Sequence, residues 1–545
     1  SAVSGKIHII DNSVWLDFKN VGKCTGSGTY SDPYVIEDLI IDGGDSGICI
    51  LIENSDVFFK IENCTFYKSG EFWGDAGIRL LGVSNGALIN NNASYNRRGI
   101  WLEDSNNNTI SGNTVNNNGD EGISLYFNNN YNTISGNTAN NNRGAGILLE
   151  YDNNNNTISG NTANNNTIGI GLLFSNNNNI SGNTANFNSG AGITVSSCNN
   201  STVSENLIIG AGISLEFSNN STVSGNIMIK CGLRVYGSLA TLISCDIDTT
   251  NLVNGKPLYY YTHEVYLGPS DFMNTGQFIL VNCNDSVISN LNISIASGGI
   301  SLYYCNNNTI SGNTINNNDI GIRLYNCNNN TISGNTANNN GGGISSQGNN
   351  NIISGNIANN NTFNGIHLET SDDNIISGNT VNSNGRYGIA FNDFFCGDCR
   401  TICHYNTISE NTANNNLVGI SLTENEKSTV SRNSANNNKY GIRLSGSYYN
   451  NVSGNTANNN LIGIFLEYSI NNTVSGNRLI GNRLCILEEY CEGNVIQDNV
   501  CTLLPSLNYF PIILIISITI IGVAVFIIYQ NREKFRKPQE DLEFL

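Results

Sequence analysis

The sequence predicts an all-β fold: a parallel β-helix of roughly 20 coils followed by one C-terminal transmembrane helix. Three observations predict it. A Gly-Ile dipeptide, once Gly-Leu, has its glycine at 77, 99, 122, 146, 169, 192, 212 and 232, then at 299, 321, 343, 365, 388, 419, 441 and 463, in steps of mostly 20 to 24 residues. Apolar and polar residues alternate over short stretches inside each step. Near the C-terminus runs an uncharged apolar segment, YFPIILIISITIIGVAVFIIY. A constant period of this length means that each repeat is one structural unit stacking on the next.

Within a unit, Ile110 stands between Thr109 and Ser111, Val115 between Thr114 and Asn116, and Ile123 and Leu125 flank Ser124. That is the two-residue period of strands. Strands of three to five residues separated by Asn and Gly are too short for a meander of hairpins, and they fit a three-sided turn of a solenoid. Coils spaced ~4.8 Å apart make a rod on the order of 100 Å long. Each corner needs a residue at positive φ, which Asn and Gly tolerate best. Stacked corners then align asparagines in columns whose amides can hydrogen-bond as a ladder, so most of NNNTISGNTANNN is scaffold.

The organisation follows in order. Residues 1–35 form an N-terminal cap segment, in which KIHIIDNSVWLDF covers the exposed first coil. Residues 36–508 are the β-helix ectodomain, with loop insertions near 251–275 and 393–405. The segment 509–529 is long enough at ~1.5 Å per residue to cross a ~30 Å hydrocarbon core. Arg532, Lys534, Arg536 and Lys537 follow it, which puts the 530–545 tail in the cytoplasm and the ectodomain outside. A chain opening at Ser1 fits removal of a secretory signal. The expected localisation is the cell surface, as a single-pass membrane protein.

Composition narrows the partners. The 545 residues carry 25 Lys and Arg against 43 Asp and Glu, a formal net charge of -18. No basic stripe exists for nucleic acid, so none is expected as a partner. The membrane, through the C-terminal helix, carbohydrate and other copies of the chain are the partners that fit. Four histidines and two methionines form no cluster of the ligands copper prefers. No cofactor is expected, with zinc and calcium left open.

Several residues are candidates for chemistry. In the interruption, KPLYYYTHEVYLGPS leaves the coil as a loop, and Tyr259, Tyr260 and Tyr261 read either as a stacking platform for sugar rings or as a small core pinning that loop. The second reading is preferred, because consecutive tyrosines cannot all face a ligand. In FFCGDCRTICH, Cys396, Cys399, Cys403 and His404 have spacing that could close a tetrahedral zinc site, although outside the cell a disulfide clip is preferred. Cys283, Cys305 and Cys327 should stack as a buried thiol column, and one bridge among Cys485, Cys491 and Cys501 would seal the last coil. Glu103 and Glu150, two coils apart, are the best available carboxylate pair for hydrolysis, against a solvated face as the alternative. Asn107, Asn155, Asn307, Asn329 and Asn471 begin Asn-x-Thr sequons at one corner and are candidate glycosylation sites.

The repeat NNTISGNTANNN with GIxL, the entry segment GSGTYSDPYVIEDLIIDG and the interruption VNGKPLYYYTHEVYLGPSDFMNTGQFILVNCNDSVISNLNIS together resemble NosD-like right-handed parallel β-helix surface proteins. The resemblance implies a right-handed solenoid of the pectate-lyase-like superfamily, which includes lyases, polygalacturonases and epimerases as well as non-catalytic surface proteins. The expected function is a membrane-anchored structural or adhesive rod: a surface-layer (S-layer) component, stalk or glycan-binding spacer. The alternative is a cell-surface carbohydrate-active enzyme: a polysaccharide lyase, an epimerase or a glycoside hydrolase. Catalysis is the less expected of the two.

Overall fold

The computed structural model describes residues 2–391 and 402–503. The expected transmembrane segment 509–529, the tail 530–545, and Cys396 and Cys399 lie outside the described residues. No helix among the described residues is long and apolar enough to cross a membrane.

The described chain is a parallel β-solenoid of about 21 turns. Two short helices interrupt it, α1 (Val14–Asn20) and α2 (Leu239–Ser244). Each coil supplies strands to three faces. A broad face stacks Ile78–Leu81, Ile100–Glu103 and Ile123–Tyr126; a second stacks Gly86–Ile89, Thr109–Ser111 and Thr133–Ser135; the third is often a single bridge, as between Thr114 and Thr138. Register places like on like: Thr109, Ile110 and Ser111 pair with Thr133, Ile134 and Ser135. The alternation explains the core, since Ile110, Ile134 and Ile158 are fully buried while their neighbours face out.

The asparagines divide three tasks among them. In residues 111–118, SGNTVNNN, Gly112 (φ 68) and Asn117 (φ 56) make the left-handed turns. The residue after each turn, Asn113 or Asn118, points inward and is buried. Asn113 Nδ2 donates to Asn137 Oδ1 at 2.9 Å, and Asn137 Nδ2 to Asn161 Oδ1 at 3.0 Å. The same Asn137 Oδ1 accepts the Asn113 backbone N–H at 2.9 Å, and Asn137 Nδ2 also donates to the Ile110 carbonyl at 2.8 Å. Thus one amide satisfies corner groups that no strand ladder reaches. Asn116 does the reverse on the outside: its Oδ1 accepts from the Asn140 N–H of the following coil at 2.7 Å. Inner and outer ladders therefore run in opposite senses.

At the N-terminal end, Ile7–Ile9 is the first strand of the broad face, and α1 lays buried Trp15 over Tyr34 with centroids 5.1 Å apart. At the other end Cys485 and Cys501 form a disulfide, Cα atoms 5.9 Å apart, which ties the last coil together as expected.

The interruption is not the loop the sequence suggested. Lys256–Thr262, which contains the three tyrosines, is a strand of the main sheet, and the chain leaves the coil only after it. Val253-Asn254-Gly255-Lys256 is a two-residue hairpin turn with Asn254 at φ 53 and Gly255 at φ 77, and it makes Leu252 and Val253 pair antiparallel with Pro257 and Lys256. Through this hairpin the third face of the first half continues into the broad face of the second half as one 14-stranded sheet. The reversal also turns the sheet inside out. Val253, Leu258 and Tyr260 face the core of the first half, and Tyr260 donates its hydroxyl to the Leu242 carbonyl at 2.7 Å. The same column continues through Ile279, Ser301 and Arg323, which is the outer face of the second half. The two half-rods are therefore stepped, lying on opposite sides of a shared sheet.

Candidate functional site

The step makes a re-entrant corner. The first half's broad face ends at Leu233–Tyr236, and this edge abuts the outer surface of the second half. Gln277 closes the seam: its Nε2 donates to the Leu233 carbonyl at 2.7 Å and its Oε1 accepts the Leu233 N–H at 2.9 Å, replacing a strand neighbour. Tyr303 donates its hydroxyl to the Val235 carbonyl at 3.1 Å, and Arg234 pairs with Asp319 across the junction.

Beyond the seam a groove of about 640 Å³ opens. Its floor consists of outward positions on successive coils, because Arg323, Ser345 and His367 pair in register. Beside them Gln347 pairs with Glu369. Phe217, Tyr236, Tyr303, Tyr325 and Phe363 supply aromatic walls. Arg323 lies 5.9 Å from the Tyr236 ring centroid. Burial works against its charge, and Tyr303 and Tyr236 more than offset that, so the guanidinium stays firmly protonated. Burial also pushes the Tyr303 hydroxyl above its ordinary range. His367 Nδ1 is 3.5 Å from Glu369 Oε1. Two acceptors on the lining, Gln347 Oε1 and Asn364 Oδ1, have no hydrogen-bond partner among the described residues, and Asn364 is only 9% exposed. A groove that offers a fixed cation, unpaired buried acceptors and ring faces is fitted to a ligand that donates hydroxyls and presents apolar C–H surfaces.

The residues singled out from sequence lie elsewhere. Glu103 and Glu150 are in one column, but Tyr126 stands between them in register. Glu103 is bound to Arg79 at 2.8 Å, with that guanidinium 3.9 Å from the Trp101 ring. A carboxylate pair separated by a phenol ring and already committed to other partners does not converge on one bond. Tyr259 and Tyr261 stack with centroids 5.9 Å apart and donate their hydroxyls to the Met273 and Asp271 carbonyls at 3.0 and 2.7 Å. With Tyr260 turned the opposite way, the tyrosines pin the 263–276 segment rather than form a platform. Cys403 and His404 are adjacent strand residues and so point apart: Cys403 is buried and accepts from the Ser371 N–H at 3.3 Å, while His404 Nδ1 faces Asp372 Oδ1 at 3.2 Å. These two do not meet at one ion. Cys283, Cys305 and Cys327 are free buried thiols in a column, with the Cys283 N–H 3.3 Å from Cys305 Sγ and the Cys305 N–H 3.2 Å from Cys327 Sγ. Burial, helped by the neighbouring Cys327 thiol, keeps Cys305 protonated. Asn107, Asn155, Asn307, Asn329 and Asn471 all stand exposed at left-handed corners, φ 57 to 59.

The family model described as NosD, periplasmic copper-binding protein, matches residues 10–162, 60–231, 250–394 and 396–502. The chain belongs to the NosD family. No curated protein matches the sequence. Solved structures similar to this NosD-family chain include the periplasmic alginate epimerase AlgG, 11% identical, covering 85% of this chain and 84% of that one with a TM-score of 0.28. The catalytic domain of a GH87 α-1,3-glucanase in complex with nigerose is 12% identical over 92% of this chain and 63% of that one, TM-score 0.30. The alginate lyase from Paenibacillus sp. is 11% identical over 56% of this chain and 94% of that one, TM-score 0.27.

Among the described residues, the histidines and methionines of this NosD-family chain are not gathered for copper. His8 is paired with Glu53 in the first coils, His263 is at a left-handed corner, His367 is in the groove and His404 lies between Asp372 and Glu426. Met228 is sealed in the core and Met273 is exposed. Among the described residues no three His, Cys, Asp or Glu side chains are grouped to hold a metal.

Proposed function

We propose that this chain is a membrane-anchored cell-surface β-helix that binds carbohydrate, with the groove at the step as its binding site and the regular coils as the spacer that presents it. The observation that carries this reading is the pair of unpartnered acceptors, Gln347 Oε1 and Asn364 Oδ1, beside Arg323 and the aromatic walls. Sugar hydroxyls would satisfy the acceptors, the pyranose C–H faces would pack on the rings, and the guanidinium favours an acidic residue. The polar flanks of the remaining coils suit a solvated stalk. The exposed sequon corners suit glycosylation, which would add to the solvation of that stalk.

A second reading, a carbohydrate-active enzyme, is favoured by the placement of His367 beside Glu369 in the same groove, since proton transfer at a sugar needs such a pair. One experiment addresses both. The chain is incubated with a panel of acidic and neutral polysaccharides, and binding is recorded together with any release of unsaturated or reducing ends. Arg323→Ala is expected to weaken binding of the acidic members at least tenfold, given the ~1.5–3 kcal/mol of a charged hydrogen bond. Binding without end release supports the stalk, new chain ends support the enzyme, and an unaffected Arg323→Ala variant rules out the groove.

A further inference from the structure

Along one edge of the first half's broad face, an aromatic column climbs toward the groove. Phe127, Tyr151, Phe174 and Phe217 occupy the same corner in four of five successive coils, each at positive φ (57, 64, 51 and 47). Bulky residues rarely adopt this backbone, and here they gain no core burial for it. Phe127 and Tyr151 stack at 5.3 Å with 12° between planes, and Tyr151 and Phe174 at 5.5 Å with 4°. One coil then lacks a ring: Ser197 stands at φ 54 between Phe174 and Phe217.

The missing rung leaves a notch. Its walls are Phe174, 51% exposed, and Phe217, 59% exposed, against 41% and 38% for Phe127 and Tyr151, which cover one another. The neighbouring column is also cut back there, because Ser196 lies in register between Leu173 and Glu216. Two hydroxyls thus form the floor and a carboxylate stands at the rim. Two coil steps separate the walls, so a ring placed midway lies ~5 Å from each, within the usual spacing of stacked rings. Phe217 also lines the groove, so notch and groove lie on either side of one ring.

We infer that this notch is a sugar subsite: one pyranose of an extended glycan sits between Phe174 and Phe217, its hydroxyls on Ser196, Ser197 and Glu216, while the rest of that chain runs along the rod axis into the groove. The hydroxyl floor and the carboxylate select a polyol over an aromatic side chain of a protein partner. This inference rests on the carbohydrate reading of the groove and extends it, since it requires a linear oligomer longer than the groove alone accommodates.

Filling the missing rung tests it. Ser197→Phe should fold, because Phe already occupies the same left-handed corner on both sides; an unchanged circular dichroism spectrum and melting temperature check this. The full chain, Ser197→Phe, Phe174→Ala and Arg323→Ala are applied to a glycan array and titrated with oligogalacturonates and cello-oligosaccharides of two to eight units. The wild type is expected to bind the longer oligomers more tightly than the shorter. Ser197→Phe and Phe174→Ala should each lose most of that gain, roughly tenfold, with disaccharide binding unchanged. Equal length dependence in wild type and Ser197→Phe would overturn the notch while a loss in Arg323→Ala keeps the groove. Loss in Ser197→Phe with none in Arg323→Ala would keep the notch and overturn the groove. No glycan bound by the wild type overturns both.

Discussion

Asn161 and Asn165 lie in one NTANNN stretch and do unrelated work. Asn161 Oδ1 accepts the Asn137 N–H and Nδ2, and its own Nδ2 donates to the Ile134 carbonyl at 2.9 Å. Asn161→Ala would leave these buried groups unpaired, each at a cost of about 1–3 kcal/mol, so a loss of about 3 kcal/mol or more is expected. Asn165 is exposed at φ 57, where Gly is equally at ease and a β-branched residue is not. Asn165→Gly should change stability by less than about 0.5 kcal/mol, and Asn165→Val should cost about 1–2 kcal/mol. Urea midpoints of the three variants check the division of labour; equal effects at both positions would refute it.

At the scale of elements, the repeats were legible because their signal is redundant: one period, one alternation and one corner chemistry, written many times. The step was not. Its cue, Val-Asn-Gly-Lys, is a strong hairpin signal, but it occurs once inside a tyrosine-rich stretch that reads as a departure from the coil. The groove was hidden for a related reason. Arg323, Ser345 and His367 each fall at an ordinary outward position of an ordinary coil, and only the half-rod stacked against them makes that column a floor. Glu103 and Glu150 misled because a shared column gives axial distance without showing that Tyr126 fills the gap. Gln277 is the element on which the step depends. Gln277→Leu removes both bonds to the Leu233 backbone, and hydrogen exchange at Leu233–Tyr236 should accelerate at least tenfold while Ile123–Tyr126 stays unchanged. Uniform protection across both strands would show that the seam is held by other contacts.

At the scale of the whole molecule, the first coil of the stack has a strand edge that must be covered. Ile7–Ile9 pairs with Ile50–Ile52, and Trp15 of α1 covers the opening. Removing residues 1–20 uncovers that edge and the apolar interior beneath it, and such edges pair with one another. The truncated chain should associate end to end in light-scattering measurements, whereas a monodisperse species of monomer mass would remove the capping role.

The ladders also bear on how such a chain can change its length. Asn113, Asn137 and Asn161 present the same amide to the coil above and below, so excising the 24 residues from one ladder position to the next brings equivalent partners face to face. A coil is thus a module that can be duplicated or dropped without redesigning its neighbours. The step has no such freedom, because Gln277, Tyr303 and Arg234 each meet a partner that occurs once. The reach of the molecule is therefore open to adjustment by whole coils on either side, while the groove at its joint stays fixed.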